Sequence, residues 1–377
     1  MKFFRLFVLS LFIFSACKEP YDPAIGDMKS NFLVVEGLIN SGPGTTSFTL
    51  SRTVGLASKI NSAPELRAKV SIEAQNGSSI VLTERGKGVY SASHSALNIQ
   101  QKYRLKILTS EGKEYLSDYV NVQLAPEMDK VEWDKVNQGV ELYVSTHDAT
   151  NNTRYYRWEY EETWQFNPPY YINLEYKNGA VIDADPSINM YNCWKTEKST
   201  KLLLGSSARL EQDVIHKSPL LFIEPNSEKL GIKYSILVKQ HALSKEAFNY
   251  WNSMQKISEQ MGTIYDPQPS QIRGNIRCVI DPSEPVVGFV SASSVKEKRI
   301  FISQREQLPE WRTPLNRCEE LEVFLKDLQF YFSNNTFLPL TPFYDPTGER
   351  IIGYIGVPMI CGDCRLRGTN VKPSFWE

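Results

Sequence analysis

The feature that most constrains this fold is a train of short strand-like segments. Residues 32–39, 46–53, 68–74, 79–83, 103–109 and 114–120 alternate or cluster apolar side chains. Turns rich in Gly, Pro, Asn and Ser separate them, as at Asn40-Ser41-Gly42-Pro43-Gly44 and Asn76-Gly77. Such spacing predicts an antiparallel β-sandwich of immunoglobulin-like type over 31–125. Ala125-Pro126-Glu127 marks its end, because a proline without an N–H closes one strand set before Val131 opens another.

A second β-rich domain, 126–310, is read from strands at 139–146, 153–164, 170–176, 230–240, 286–292 and 298–303. It also holds the clearest helix, 244–261. Ser244 is its cap, Phe248, Trp251, Met254, Ile257 and Met261 recur three or four apart along one face, and Gly262 ends it. Such a stripe packs on a sheet. A C-terminal cysteine-containing extension, 311–377, is expected to pack on the second domain, with a last strand at 350–357. The predicted fold class is therefore mainly β: tandem immunoglobulin-like β-sandwich domains, with one prominent amphipathic helix packed on the second. Apolar residues at 41% and charged residues at 23% fit a packed chain rather than a disordered one.

The N-terminus carries an address. Lys2 and Arg5 precede an apolar run from Leu6 to Phe14, and small Ser15 and Ala16 stand before Cys17. This is the layout of an export signal over 1–16. The run is too short to span a bilayer, which takes roughly 20 residues. Phe14-Ser15-Ala16-Cys17 resembles a lipobox, in which Cys17 is lipidated and becomes the new N-terminus of a tether over 17–30. The alternative is an ordinary signal peptide with a chance cysteine. Lys18 and Glu19 resemble the signal that carries lipoproteins to the outer leaflet of the outer membrane. The expected location is the outer membrane, lipid-anchored and at the cell surface.

Several further pieces stand out in order: Tyr21-Asp22-Pro23, the run from Phe32 to Ile39, Cys193-Trp194 and the run from Tyr234 to Gln240. Gly274-Asn275-Ile276, Val287-Gly288-Phe289 and the ending Cys361-Gly362-Asp363-Cys364-Arg365, Gly368-Thr369-Asn370 and Phe375-Trp376 follow. Taken together and in this order, they resemble one family, the outer-membrane lipoproteins of Bacteroidetes-type bacteria described as domain of unknown function 4249. The resemblance implies a companion of a TonB-dependent outer-membrane transporter, hence a binding or accessory subunit in nutrient uptake. An adhesion or envelope-scaffold role is the alternative, and a glycan or peptide hydrolase a more distant one.

No zincin helix, phosphate-binding glycine loop, dinucleotide fingerprint or nucleophile elbow is present in the sequence, so no catalytic residue, metal or cofactor is assigned. A net charge of -1 argues against a nucleic-acid partner. His94, His147, His216 and His241 are scattered. Asp183, Asp185, Ser187 and Asn189 alternate like the start of a calcium loop, but Ile188 and Trp194 replace its glycine and glutamate. Neighbouring Glu161 and Glu162 would point to opposite faces of a strand and read as surface charge. Alternation in the strand from Thr153 puts Tyr156, Trp158, Tyr160 and Trp164 on one face, for which sandwich core is the first explanation, while the ligand or partner face is placed on Trp164, Phe166, Tyr170 and Tyr171, because these aromatics surround Asn167-Pro168-Pro169, a turn that ought to be exposed.

Once Cys17 carries lipid, Cys193, Cys278, Cys318, Cys361 and Cys364 remain. In an oxidising compartment they should mostly pair, with one left over. The preferred arrangement ties Cys318 to Cys361 or Cys364 and Cys193 to the other, leaving Cys278 free. A zinc half-site or a redox pair at Cys361 and Cys364 is the alternative.

Overall fold

The computed structural model describes residues 31–55, 62–260, 272–313, 318–334 and 336–376. The chain is mainly β, and the strands gather into two large units and one small one. The signal 1–16, the tether 17–30, Met261 and Gly262 lie outside the described residues.

The first unit departs from the expected sandwich in one important way. Its strands run in a circuit: Lys102–Leu108, Lys69–Ala74, Ser79–Gly86, Val89–His94, Gly44–Arg52, Leu33–Asn40, Ala292–Ser293, Val120–Gln123, and back to Lys102–Leu108. The sheet is thus closed and barrel-like. Most neighbours pair antiparallel, but Ala292–Ser293 lies parallel to both flanking strands, with Ile39 opposite Ala292 and Ala292 opposite Val122. Ile276–Cys278 adds to the edge at Glu114–Ser117, and Val286–Val287 to Leu33–Asn40. The 276–293 segment, assigned from sequence to the second domain, therefore belongs to the first. Closure explains why: without it Leu33–Asn40 and Val120–Gln123 would face each other as unpaired edges, and a closed sheet removes edges. Ile276, Cys278, Val286, Val290 and Ala292 join Leu33, Phe48, Ile72, Tyr90 and Leu105 in one core.

The second unit stacks two sheets. Met128–Val136, Gly139–His147 and Val214–Ile223 form one. The other runs Cys193–Lys198, Tyr155–Phe166, Lys233–Ala242, Val295–Ser303, with Leu203–Ser206 also paired to Tyr155–Phe166. Alternation along Tyr155–Phe166 aims Tyr156, Trp158, Tyr160 and Trp164 at the core between the sheets, where all four are buried. Trp158 Nε1 donates to Gln240 Oε1 (2.8 Å), and Gln240 Nε2 donates to Pro126 O and Thr146 Oγ1. That amide ties both sheets to the linker that enters the unit. Glu162 shares this inner face and is buried, contrary to the surface reading. Lys229 Nζ at 2.9 Å and the Tyr234 hydroxyl at 2.8 Å satisfy its carboxylate.

The helix is Lys245–Gln260, with Ser244 Oγ accepting the Ala247 N–H (3.2 Å) as a cap. Its deepest residues are Ala247 and Tyr250, while Phe248, Trp251, Met254 and Ile257 are only half-buried. Phe248 packs at a tilt against Tyr155, and the Arg157 guanidinium lies over the Trp251 ring, both partners belonging to the second unit. Tyr250 instead reaches the first unit, where its hydroxyl accepts the Gly288 N–H (2.8 Å) and its ring meets Phe289. The helix is thus a clasp between the units rather than a lid on one.

The C-terminal region is more regular than expected. Leu321–Phe324, Ile351–Pro358 and Phe337–Tyr344 form a three-stranded sheet, on which the hairpin Leu174–Lys177/Ala180–Asp183 and the short helix Leu328–Phe332 pack through Tyr176 and Phe332. Disulfides join Cys193 to Cys364 and Cys318 to Cys361, with Cα separations of 5.8 and 6.2 Å. Cys361 and Cys364 therefore take different partners, which sets aside the zinc and redox alternatives for that pair. Cys278 is free and buried. Past the cysteines, Thr369 bridges to Trp194, and Trp376 lies edge-on to Trp194 and Phe301.

Candidate functional site

The aromatic group predicted as a binding face is dispersed by the fold. Trp164 and Phe166 are 3% and 2% exposed and belong to the second core, so both are corrected to packing residues. Lys195 and Lys229 lie against the Trp164 ring, and the Arg367 guanidinium lies 4.6 Å from the Phe166 ring centre. The Asn167-Pro168-Pro169 turn is not exposed as a whole, because the C-terminal segment covers it: Pro168 is buried and the Tyr170 N–H donates to Cys361 O. The Tyr170 hydroxyl donates to Glu320 (2.7 Å). Only Tyr171 is largely exposed, at 67%. Cys17, Lys18 and Glu19 lie outside the described residues. The oxygens of the supposed calcium segment cap their own turns, Asp185 accepting from Ser187 N–H and Asn189 from Tyr191 and Asn192 N–H. Among the described residues no group of three or more His, Cys, Asp or Glu is placed to hold a metal.

What the structure does build is a cleft of about 380 Å³ where the first unit meets the start of the helix. One wall is 118–123, the strand end that leads out of the first unit. The opposite wall is the returning segment, Gly274-Asn275 and 289–292, and Ser244 and Glu246 close one end. The return is held rigidly. Asn275 imitates a strand neighbour, its Nδ2 donating to Val290 O (2.9 Å) and its Oδ1 accepting the Val290 N–H (2.8 Å). Gly274 and Gly288 permit a backbone crossing in which no Cβ fits.

Both charged side chains that line the cleft are carboxylates. Asp118 pairs with Arg277 (2.9 Å). Glu246 sits in the first helical turn, where its own backbone N–H and the Ser244 hydroxyl hold its carboxyl below the usual range. Among the described residues no lysine, arginine or histidine lines the cleft. Ser291, 8% exposed, contributes an Oγ with no partner among the described residues. Sequence reasoning missed these residues because the two walls lie about 150 to 170 positions apart in the chain. The available signal was Gly274-Asn275-Ile276 and Val287-Gly288-Phe289, read as family markers without a structural role.

Residues 18–299 match the model of one protein family, described as Domain of unknown function (DUF4249). This chain belongs to that family. The DUF4249 match covers the first unit, the returning segment that closes it and most of the second, and it stops before the cysteine-bearing C-terminal pieces that also contributed to the resemblance. Among curated proteins, the DUF4249 chain is 21% identical over 287 residues to a leucine–tRNA ligase of Protochlamydia amoebophila (strain UWE25), covering 60% of this chain. It spans a third (33%) of that protein's length. Among solved structures, a two-domain fibronectin type III segment of chicken tenascin aligns at 8% identity over 55% of this chain and 88% of its own. The TM-score is 0.16, which carries no argument about the fold. No helix of the described residues is long and apolar enough to cross a membrane.

Proposed function

We propose that this DUF4249 protein is a surface lipoprotein of the outer membrane that serves as the binding subunit beside a TonB-dependent transporter in nutrient uptake. The observation that carries the reading is the lipobox-like Phe14-Ser15-Ala16-Cys17 followed, one residue later, by the start of the DUF4249 match at residue 18. Lipid on Cys17 gives the membrane attachment. Each buried methylene adds about 0.8 kcal/mol, so two or more acyl chains hold the protein unaided. Lys18 and Glu19 supply the surface-display signal. Transport itself belongs to the partner barrel.

Affinity purification from outer membranes tests this directly. A TonB-dependent barrel should co-purify in stoichiometric amount, and preparations that contain no such barrel overturn the reading. External protease on intact cells should remove the protein. Survival until the outer membrane is opened would place it in the periplasm, and Cys17→Ala should release it from the membrane.

A further inference from the structure

We propose that the cleft between 118–123 and the returning segment binds a small neutral sugar. This deepens the uptake reading and rests on it only for biological meaning, since the binding itself is measurable without a partner. The volume, about 380 Å³, lies at the small end of ligand pockets.

The case turns on which ligand chemistries the lining leaves unmet. An anionic ligand finds no lysine, arginine or histidine among the described residues of the wall. A cationic one finds two carboxylates, but Asp118 is engaged by Arg277, and Glu246 stands in the first turn of the helix, where the positive end of the helix dipole already favours its charge. What remains is uncharged and of mixed hydrogen-bonding sense. The side chains of Asn121 and Gln123 line the cleft and make no hydrogen bond among the described residues, and each amide both donates and accepts. Ser291, which also lines the cleft, is more than nine-tenths buried, and its hydroxyl has no partner among the described residues. Groups that donate and accept at once are matched by a ligand whose groups do likewise, and sugar hydroxyls are of that kind.

Two rings complete the site. Tyr119 is 36% exposed, with the Arg104 guanidinium 4.8 Å from its ring centre, and Phe289 is half-buried with Tyr250 packed against it. Such braced rings offer rigid apolar faces to the C–H side of a pyranose, beside the polar groups that order its hydroxyls.

The test uses the lipidated protein in an amine-oxide detergent, since glucoside and maltoside head groups would compete. Calorimetric titration with glucose, galactose, mannose and N-acetylglucosamine should give saturable binding for at least one. Asn121→Ala and Gln123→Leu should each weaken it tenfold or more at unchanged melting temperature. Absence of saturable binding to all four overturns the proposal, as does equal affinity in both variants. Preferential binding of glucose 6-phosphate or of lysine overturns it too. The Gln123→Leu protein should still recover the barrel. A wild-type protein that binds sugar but recovers no barrel would refute the accessory-subunit reading and leave the sugar site standing.

Discussion

Gly274 and Gly288 cross so closely that a Cβ on Gly274 would stand 1.7 Å from the Gly288 carbonyl oxygen. Gly288 in turn has φ +139° and passes against Val35, where its own Cβ would meet Val35 O at 2.3 Å. The two glycines therefore set how the returning segment docks on Leu33–Asn40 and closes the first sheet.

Gly274→Ala should accordingly be far more damaging than its chemistry suggests. A backbone clash cannot be relieved by a rotamer change, so a loss of about 3 kcal/mol or more is expected, at the upper end of overpacking. Urea unfolding of the purified protein measures it. Gly112→Ala is the control, since nothing stands within 4 Å of a Cβ there, although its φ of +84° brings a modest strain of its own. Equal stability of Gly274→Ala and the wild type would refute the close crossing.

The two disulfides should differ from the free thiol in every accessibility test. Cys193 and Cys364 are 171 residues apart in sequence, Cys318 and Cys361 only 43. In the loop-entropy view the longer closure contributes more, about 5 kcal/mol against about 4. Cys193→Ser with Cys364→Ser should therefore lower the midpoint more than Cys318→Ser with Cys361→Ser. Cys278 should resist alkylation until the first unit unfolds, because it is 1% exposed. Mass spectrometry of non-reduced peptides checks the pairing, and a Cys361–Cys364 link would contradict it.

Much of the second unit was legible because its strands obey one simple rule. Tyr156, Trp158, Tyr160 and Trp164 alternate with polar neighbours, and alternation fixes which face is buried whatever the strand pairs with. Closure of the first unit was not legible. It depends on Ala292–Ser293, a two-residue strand held between partners more than 165 positions earlier, and so short a stretch carries no period. The helix stripe from Phe248 to Ile257 misled in degree, because Tyr250, off that stripe, reaches the other unit. At Trp164 and Phe166 the adjoining Asn167-Pro168-Pro169 turn argues for exposure against that alternation. Nothing local announces that a segment almost 200 residues later, pinned by Cys364, will cover that turn. The cleft was hidden for the same reason: each wall is ordinary strand sequence.

Alanine at these aromatics should now separate packing from surface. Trp164→Ala and Phe166→Ala each remove a buried ring and should destabilise by about 3 to 5 kcal/mol. Tyr171→Ala removes only a mostly exposed ring edge-on to Tyr191 and should change stability by well under 1 kcal/mol. Urea midpoints decide the matter. A Trp164→Ala protein as stable as wild type would return that residue to the surface.

His241 should make the fold sensitive to mild acid. It pairs across from Arg157 and Val295, and Gln240 beside it points into the core, so His241 faces the side where Arg157 meets Trp251. It is 3% exposed, and neither ring nitrogen has a hydrogen-bond partner among the described residues. Burial pulls its pKa down to about 4, against the partial support of Glu159, whose nearest oxygen is 3.9 Å away, and of Glu297. Arg157 and Lys239 push the same way as burial. The folded pKa is thus below the unfolded value, and the sign follows. Above about pH 6.5 both states are neutral at this site and it has no effect. As pH falls from there the unfolded chain takes up a proton that the folded one refuses, so stability drops. The drop ends near pH 4, where the folded form is protonated as well, and it totals roughly 3 kcal/mol. Urea midpoints followed from pH 7 to pH 4 should therefore fall, and His241→Leu should lose most of that slope while the rest of the acid response, from the carboxylates, is retained. A variant with the wild-type slope would show that His241 finds a partner or water on protonation.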